Sequence, residues 1–125
     1  MLEHSSDVSE SVIGAAIEVH RILGPGLLES IYQRALCHEL GLRKIEYIAQ
    51  AAVPVIYKGT NLGDDLRLDL LVQNEVVVEI KTVASLEPIH QAQLLTYLKL
   101  TGHRVGLLLN FNVRLLKDGL KRVVL

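Results

Sequence analysis

The chain has 125 residues, enough for one hydrophobic core but not for two, so we expect a single domain over residues 1–125. Half of the residues are hydrophobic and 22% are charged, which excludes an intrinsically disordered chain. The formal net charge of −1 argues against a protein that coats nucleic acid non-specifically, because such proteins are normally basic. It does not exclude a nuclease, whose acidic residues hold cations.

Neither a membrane anchor nor a disulfide framework is indicated. No apolar run approaches the ~20 residues of a membrane-spanning helix, and the first residues show no signal-peptide pattern. The one cysteine, Cys37, has no partner in the chain and falls within a helical pattern, so we expect it in the core. These features favour a cytoplasmic protein without a membrane partner.

The first part of the chain predicts two helices. After residues 1–6, which we expect to be disordered, apolar residues recur at helical spacing from Asp7 to Leu23, with Ser6 as the N-cap. The turn Gly24-Pro25-Gly26 ends this helix. A second helix follows, with an apolar face that runs from Leu28 to Leu40.

The pattern then changes to that of strands. Ile45–Tyr57 is rich in β-branched and aromatic residues, and the Gly- and Asp-containing stretch Lys58–Asp65 predicts a turn. Leu66–Val72 and Val76–Val83 follow as paired strands, joined at Gln73–Glu75.

The last third predicts one helix and two strands. Ser85 and Pro88 mark the start of the helix, which ends at Gly102. Val105–Phe111 is almost wholly apolar, as expected of a buried strand, and Lys121–Leu125 adds an edge strand. The element order is therefore α-α-β-β-β-α-β-β, which predicts an α/β fold with a mixed central sheet.

Charged residues interrupt two of these apolar strands. Asp69 lies within the first, and Glu79 and Lys81 lie two apart in the second, where they share one face. Buried charge is costly unless it is paired or metal-bound. A three-residue loop at Gln73–Glu75 places Asp69 opposite Glu79, whereas a two-residue loop places it opposite Ile80, on the other face. We predict the three-residue loop.

Two carboxylates on one face form a hard-oxygen site, which suits Mg²⁺ or Mn²⁺ rather than zinc. A metal held there could polarise a phosphoryl oxygen and lower the pKa of a bound water. Lys81 would then position that water or stabilise the charge that builds on the phosphate. On this hairpin alone, an ion network of Asp69, Glu79 and Lys81 without a catalytic role is an equally good interpretation.

Two helices add further candidates. Glu29 and Tyr32 lie one turn apart on the second helix, and Gln93 and Tyr97 lie four apart on one face of the third. Each pair alone is a weak signal, because a Glu near a helix start is favourable for reasons unrelated to function. His90, three residues before Gln93, either faces the site as a proton shuttle or has a structural hydrogen-bonding role.

Other polar residues favour structural roles. His20, beside the turn that follows the first helix, is expected to bond backbone carbonyls there. Arg114, Lys117, Lys121 and Arg122 cluster near the C-terminus, and we interpret them as a solvated face in preference to a phosphate-binding surface.

Taken together, these motifs resemble the GxxExxY family, a branch of the PD-(D/E)XK nuclease superfamily with the restriction-endonuclease-like fold. The similarity extends from about Val12 to Val124. The segments that carry it are Val19-His20-Arg21, Gly24-Pro25-Gly26, the Gly26/Glu29/Tyr32 signature, Asp69, Glu79-Ile80-Lys81, His90–Tyr97, Gly106–Asn112 and Leu116–Arg122. The resemblance implies a mixed sheet flanked by α-helices.

The resemblance also implies a metal site and a catalytic residue. Glu29 would complete the site with Asp69 and Glu79, and the backbone carbonyl of Ile80 would be a further ligand. Lys81 would be the catalytic lysine.

Supporting roles follow from the same resemblance. Gln93 and Tyr97 match the Q-x-x-x-Y element of the exonuclease branch, where such residues support the site or the substrate phosphate. Tyr32 and His90 are further support residues. The Pro of the superfamily's name is Leu68 here, a departure found in many branches.

We therefore expect a Mg²⁺- or Mn²⁺-dependent nuclease that hydrolyses phosphodiester bonds, with DNA as the expected partner. An alternative is a non-catalytic module that keeps the acidic pocket and acts by docking a protein. A third is a nuclease that works only as a homodimer or within a larger assembly. The complete set of site residues favours catalysis, whereas the near-neutral charge favours a partner that supplies binding surface.

Overall fold

The computed structural model describes residues 2–125, with side chains from Asp7 onward. Its helices and strands are α1 (Leu2–Leu23), α2 (Glu29–Leu42), β1 (Tyr47–Val53), β2 (Ile56–Tyr57), β3 (Thr60–Asn61), β4 (Leu66–Val72), β5 (Val76–Lys81), α3 (Pro88–Thr101), β6 (Val105–Asn110) and β7 (Leu120–Val124). A 3₁₀ turn, Leu116–Gly119, precedes β7.

Five strands form one mixed sheet in the order β1-β4-β5-β6-β7. Strands β5 and β6 are parallel, since α3 carries the chain from the end of one to the start of the other, and the other neighbours are antiparallel. The last residues of β5 and β6, Lys81 and Asn110, are register partners, and Leu120 at the start of β7 pairs with Leu109. We call this end of the sheet the upper edge.

The two faces of the sheet are covered by different helices. Helices α1 and α2 pack on one face, against Val78, Ile80 and their neighbours, and α3 packs on the other, against Val77 and Leu108. Because β-strand side chains alternate between faces, the apolar strands β5 and β6 supply both cores at once. The predicted α/β fold, a mixed sheet flanked by helices in a restriction-endonuclease-like arrangement, is confirmed.

The strand predicted over Ile45–Tyr57 is divided in the structure. β1 ends at Val53, and β2 pairs with β3 in a separate two-stranded hairpin. Pro54 explains the break, because it has no backbone N–H to continue the ladder with β4. The predicted turn Lys58–Asp65 accordingly contains a short strand.

Helix α1 begins at Leu2, ahead of the predicted start at Asp7, because neither Pro nor Gly interrupts the residues before it. The sequence predicts disorder over residues 1–6. Met1 lies outside the described residues, and the side chains of residues 2–6 are not described. None of the helices in the described part of the chain is long and apolar enough to cross a bilayer.

Helix α3 approaches the sheet most closely at Gly106 of β6. A Cβ placed on Gly106 would lie 2.8 Å from the Leu94 methyl carbons and 2.9 Å from its Cγ. Leu94 is fully buried, so its side chain has little room to move. The absence of a side chain at Gly106 thus sets the distance at which α3 packs on the sheet.

We therefore expect Gly106→Ala to lower the free energy of unfolding by about 1–3 kcal/mol through overpacking against Leu94. Gly41→Ala is the control, because a Cβ there meets nothing within 4 Å and alanine favours the helix. Chemical denaturation of the two variants measures both effects. Equal stabilities would contradict the packing argument.

Candidate active site

Asp69 and Glu79 lie where β4 and β5 stop pairing. The ladder runs from Val72–Val76 to Leu70–Val78 and then ends. Beyond it, side chains take the place of backbone partners: the Asp69 N–H donates to Glu79 Oε2 at 3.0 Å, and the Ile80 N–H donates to Asp69 Oδ2 at 2.7 Å. Each carboxylate is therefore fixed by a backbone amide of the opposite strand.

The predicted loop length is confirmed. β4 ends at Val72 and β5 begins at Val76, which leaves a three-residue loop. Gln73 and Asn74 both have positive φ, as a type I′ turn requires, and the Glu75 N–H donates to the Val72 carbonyl at 2.9 Å. This loop sets the register that places Asp69 opposite Glu79.

Strand β1 is irregular at the same level. Its ladder with β4 pairs Ala49 with Leu70 and Ala51 with Leu68 but omits Gln50, which lies opposite Asp69. Gln50 has a φ of 51°, in the left-handed region that non-glycine residues rarely adopt.

The alternation of β4 changes across Asp69. Leu70 packs into the α1–α2 core and Leu68 into the α3 core, although side chains two apart in a regular strand share a face. Asp69 thus occupies the position at which the strand rotates between the two cores. This rotation leaves its carboxylate half-buried instead of packed into either core.

Gln50 connects this irregular position to α2, and sequence reasoning missed it. Its Nε2 donates to Gln33 Oε1 at 2.7 Å. Burial raises the pKa of Asp69, and a hydrogen bond from the Gln50 side chain is one of the interactions that oppose this rise. Gln33 lies one turn after Glu29 on α2, so Gln50 ties the two carboxylate-bearing elements together.

Helix α3 covers the other side of the site. Lys81 Nζ donates to Gln93 Oε1 at 3.0 Å, and both side chains are half-buried. Tyr97 lies one turn further along the helix. Burial raises the pKa of its hydroxyl, and the negative charges of Glu79 and Asp69 raise it further. Gln93 and Tyr97 therefore face the carboxylates, as their spacing predicts.

Asn110 is a second residue that the sequence did not reveal. It is buried at the end of β6, beside Lys81. Its side chain accepts from the Val83 N–H at 3.1 Å and donates to the Val83 carbonyl at 3.0 Å. This pair of hydrogen bonds holds the segment that leaves β5 and thereby fixes the backbone on which Lys81 lies.

Glu29 is the first residue of α2 and is exposed. Partial burial raises the pKa of its carboxyl, and the nearby charge of Asp69 raises it further, while Lys81 opposes the shift. The carboxylate is thus close enough to sense both residues. No side chain caps the N-terminus of α2, so its backbone amides add positive potential beside the acidic group.

Tyr32 supports this part of the site from the core and does not project into it. It is fully buried and stacks on Phe111, with ring centroids 4.5 Å apart. Its hydroxyl donates to the Gly24 carbonyl at 2.5 Å and accepts from the Leu27 N–H at 3.1 Å. The glycine-rich loop that leads to Glu29 is anchored in this way.

Burial is the main cause of the raised carboxyl pKa values in the site, and electrostatic repulsion adds to it at Glu79. Burial, followed by the charge of Asp69, raises the pKa of Glu79 to about 8. Burial also raises the pKa of Asp69, although its hydrogen bond from the Ile80 N–H opposes the shift. Holding both groups in the charged form at neutral pH requires additional positive charge.

The sequence matches the model of the PD-(D/E)XK nuclease superfamily over residues 6–123. The chain belongs to this superfamily. The assignment of Asp69 and Glu79-Ile80-Lys81 to the motif of this superfamily stays a prediction. Comparison with curated proteins and with solved structures gave no significant match. The family match is at the superfamily level, so the narrower resemblance to the GxxExxY family stays a prediction.

The donor set fits a divalent cation, and PD-(D/E)XK nucleases typically use divalent metals. All of the candidate donors are oxygens, which suit hard cations, and a cation would relieve the repulsion between Asp69 and Glu79. Within the described part of the chain, no three Asp, Glu, His or Cys side chains are already arranged as a metal cage.

His90, His20 and Cys37 have structural roles. His90 Nδ1 accepts from the Glu87 N–H at 2.9 Å at the start of α3, which supports the structural alternative over a proton shuttle. His20 bonds backbone carbonyls as expected, but they belong to Phe111 and Val113 and not to the adjacent turn. The half-buried Cys37 packs against the larger core, and burial raises the pKa of its thiol.

In metal-free protein, we expect the free energy of unfolding to fall as the pH rises from about 4.5 to about 8, because folded Glu79 retains a proton that the unfolded chain releases. The slope from one such group is at most about 1.4 kcal/mol per pH unit. Denaturation in EDTA at pH 5 and pH 8 measures it. Glu79→Gln should weaken this dependence, whereas Glu10→Gln, at an exposed acid on α1, should preserve it. Identical pH profiles for wild type and Glu79→Gln would contradict this explanation.

A double-mutant cycle tests the connection between α2 and β1. Gln33→Ala and Gln50→Ala should be non-additive by about 0.5–1 kcal/mol in unfolding free energy, because either change breaks the same hydrogen bond. Chemical denaturation of the four proteins measures the coupling. The cycle of Gln50→Ala with Gln91→Ala is the control, because Gln91 lies on α3 and shares no hydrogen bond with Gln50. Additivity in both cycles would exclude the connection.

Proposed function

We propose that the protein is a metal-dependent nuclease that hydrolyses phosphodiester bonds of nucleic acid, with DNA as its substrate. Membership in the PD-(D/E)XK nuclease superfamily supports the class of activity. The observation that carries the proposal is the fixed pair Asp69 and Glu79, at the opening between β4 and β5, with Lys81 two residues away on the same strand.

In this proposal, Mg²⁺ or Mn²⁺ is held by Asp69 and Glu79, with the Ile80 carbonyl and Glu29 as further ligands. When bound, the metal supplies Lewis-acid polarisation of the phosphoryl oxygen and a bound water of lowered pKa. The two carboxylates are preorganised for binding because backbone N–H groups already orient them.

Lys81 acts on the phosphate or on the attacking water. Its ammonium has three donors, and Gln93 accepts one of them at 3.0 Å, which aims the side chain and leaves two donors for substrate. A fixed positive charge near the phosphate stabilises the negative charge that develops as water attacks in line and the leaving oxygen departs. Gln93 is thus a positioning residue, and Tyr97 borders the same space.

A second candidate function is docking to a protein partner or a second copy of the chain. The β2–β3 hairpin favours it, because Ile56, Tyr57 and Leu62 are 55%, 59% and 61% exposed. Large apolar side chains grouped at a protruding hairpin are characteristic of interaction surfaces. In this form of the proposal, the partner supplies part of the surface that binds nucleic acid.

The decisive experiment incubates wild type, Lys81→Ala and Lys99→Ala with single-stranded, duplex and branched DNA and with RNA, in Mg²⁺, Mn²⁺ or EDTA. We expect wild-type cleavage that EDTA abolishes and that Lys81→Ala lowers by about 10²–10³-fold, because a preorganised charge is lost. Lys99→Ala, at an exposed lysine in the last turn of α3, should cleave like wild type.

Cleavage that survives Lys81→Ala would overturn the assigned role of Lys81. Absence of cleavage on every substrate, by a protein shown to be folded, would favour the docking function. Light scattering of the same samples then reports whether the chain associates with itself.

A further inference from the structure

A pocket separate from the candidate site lies where the chain leaves the upper edge of the sheet. It has a volume of about 600 Å³ and is formed by the end of α1 and the segment that follows β6. Its apolar surface includes Ile17 and Leu115, which are 48% and 45% exposed, and its rim includes Arg21, Arg114 and Lys117.

Both walls of the pocket lead directly to the candidate site. Arg114 follows Asn110 by four residues, so the Cα atoms of Arg114 and Asn110 are at most about 15 Å apart. Asn110 is in turn the register partner of Lys81. Gly24, in the other wall, precedes Glu29 by five residues, which limits that Cα separation to about 19 Å. These limits keep the pocket within a few nucleotide lengths of Lys81 and Glu29.

His20 holds the two walls together. It is buried at the end of α1, and its Nε2 lies 3.1 Å from the Phe111 carbonyl and 2.8 Å from the Val113 carbonyl. This link joins the helix to the segment that carries Arg114, so the pocket is built into the fold.

The charges at the rim are available to a ligand. Arg21 forms an ion pair with Glu18 at 2.9 Å, which neutralises part of its charge. Arg114 and Lys117 are exposed and have no acidic partner among the residues whose side chains the structure describes. Two such cations beside an apolar surface match a nucleotide, which presents a phosphate charge next to the apolar face of a base.

We propose that this basic pocket binds the nucleic-acid strand next to the bond that is cleaved, with Arg114 and Lys117 on its phosphates and the sugar and base against Ile17 and Leu115. This rests on the proposed function in one respect, since it takes the substrate to be nucleic acid. It reverses the sequence-based interpretation of Arg114 and Lys117 as a solvated face.

The test measures binding without cleavage. Anisotropy of a fluorescent 12-nucleotide single-stranded DNA is recorded with the full chain in EDTA, at a series of salt concentrations. Changing both Arg114 and Lys117 to Gln should weaken binding at least tenfold at low salt. Two lost phosphate contacts should also reduce the slope of log K against log salt by about 1.4, since each contributes about 0.7 on a single strand.

Two further variants sharpen the result. Lys44→Gln combined with Lys99→Gln removes the same charge from exposed lysines elsewhere, and we expect its affinity and salt slope to match those of wild type. Ile17→Ser should weaken binding without changing the slope, because it removes an apolar contact and no charge.

The proposal is overturned if the Arg114/Lys117 double variant binds like the Lys44/Lys99 control, or if wild type does not bind DNA at low salt. It is also overturned if the double variant changes only the oligomeric state, which would make the pocket an interface between copies of the chain. Loss of binding in the double variant supports the pocket even where wild type fails to cleave. If wild type cleaves DNA and the Arg114/Lys117 double variant binds DNA as wild type does, the nuclease function is supported and the pocket proposal is not.

Discussion

The arrangement of this protein depends on holding two carboxylates together where burial disfavours the charged form of each. Asp69 and Glu79 face each other at the end of the β4–β5 ladder, and their burial and repulsion raise the pKa of Glu79 to about 8. Such a pair persists only because backbone amides of opposite strands bind each carboxylate. The two carboxylates would repel each other once both are charged, and a divalent cation would relieve that repulsion.

Residues of several neighbouring helices and strands hold this pair of carboxylates and Lys81 in place. Gln50 adopts a left-handed conformation, which costs about 1–3 kcal/mol in a residue other than glycine, and in return its side chain reaches both Gln33 and Asp69. On the other side, Gln93 holds Lys81, and Asn110 fixes the backbone beyond it. Among the residues that the structure describes in the five-stranded sheet, Gln50 is the one non-glycine strand residue with a positive φ, and it lies opposite Asp69.

The parts of this structure that could be predicted from sequence are those that depend on the short repeat of side-chain direction along a strand or a helix. The loop length fixed the register of Asp69 and Glu79, because side chains alternate every two residues. Helical spacing likewise placed Gln93 and Tyr97 together. The role of Gln50 could not be predicted, because a left-handed φ is unusual for glutamine and the partners of its side chain are distant in sequence. The carbonyl partners of His20 escaped for the same reason, since they come from the segment after β6.

The distribution of charge along the upper edge matters more for substrate binding than the net charge of −1. The net charge alone suggests a poor partner for nucleic acid, but the pocket-lining Arg114 and Lys117 have no acidic partner among the residues whose side chains are described. A negative strand would be repelled from the carboxylates until a cation occupies them, and attracted to Arg114 and Lys117 throughout. Under this arrangement, strand binding and metal binding reinforce each other, because each lowers the electrostatic cost of the other. A small, nearly neutral domain can then select a phosphodiester without a basic surface over the rest of the molecule.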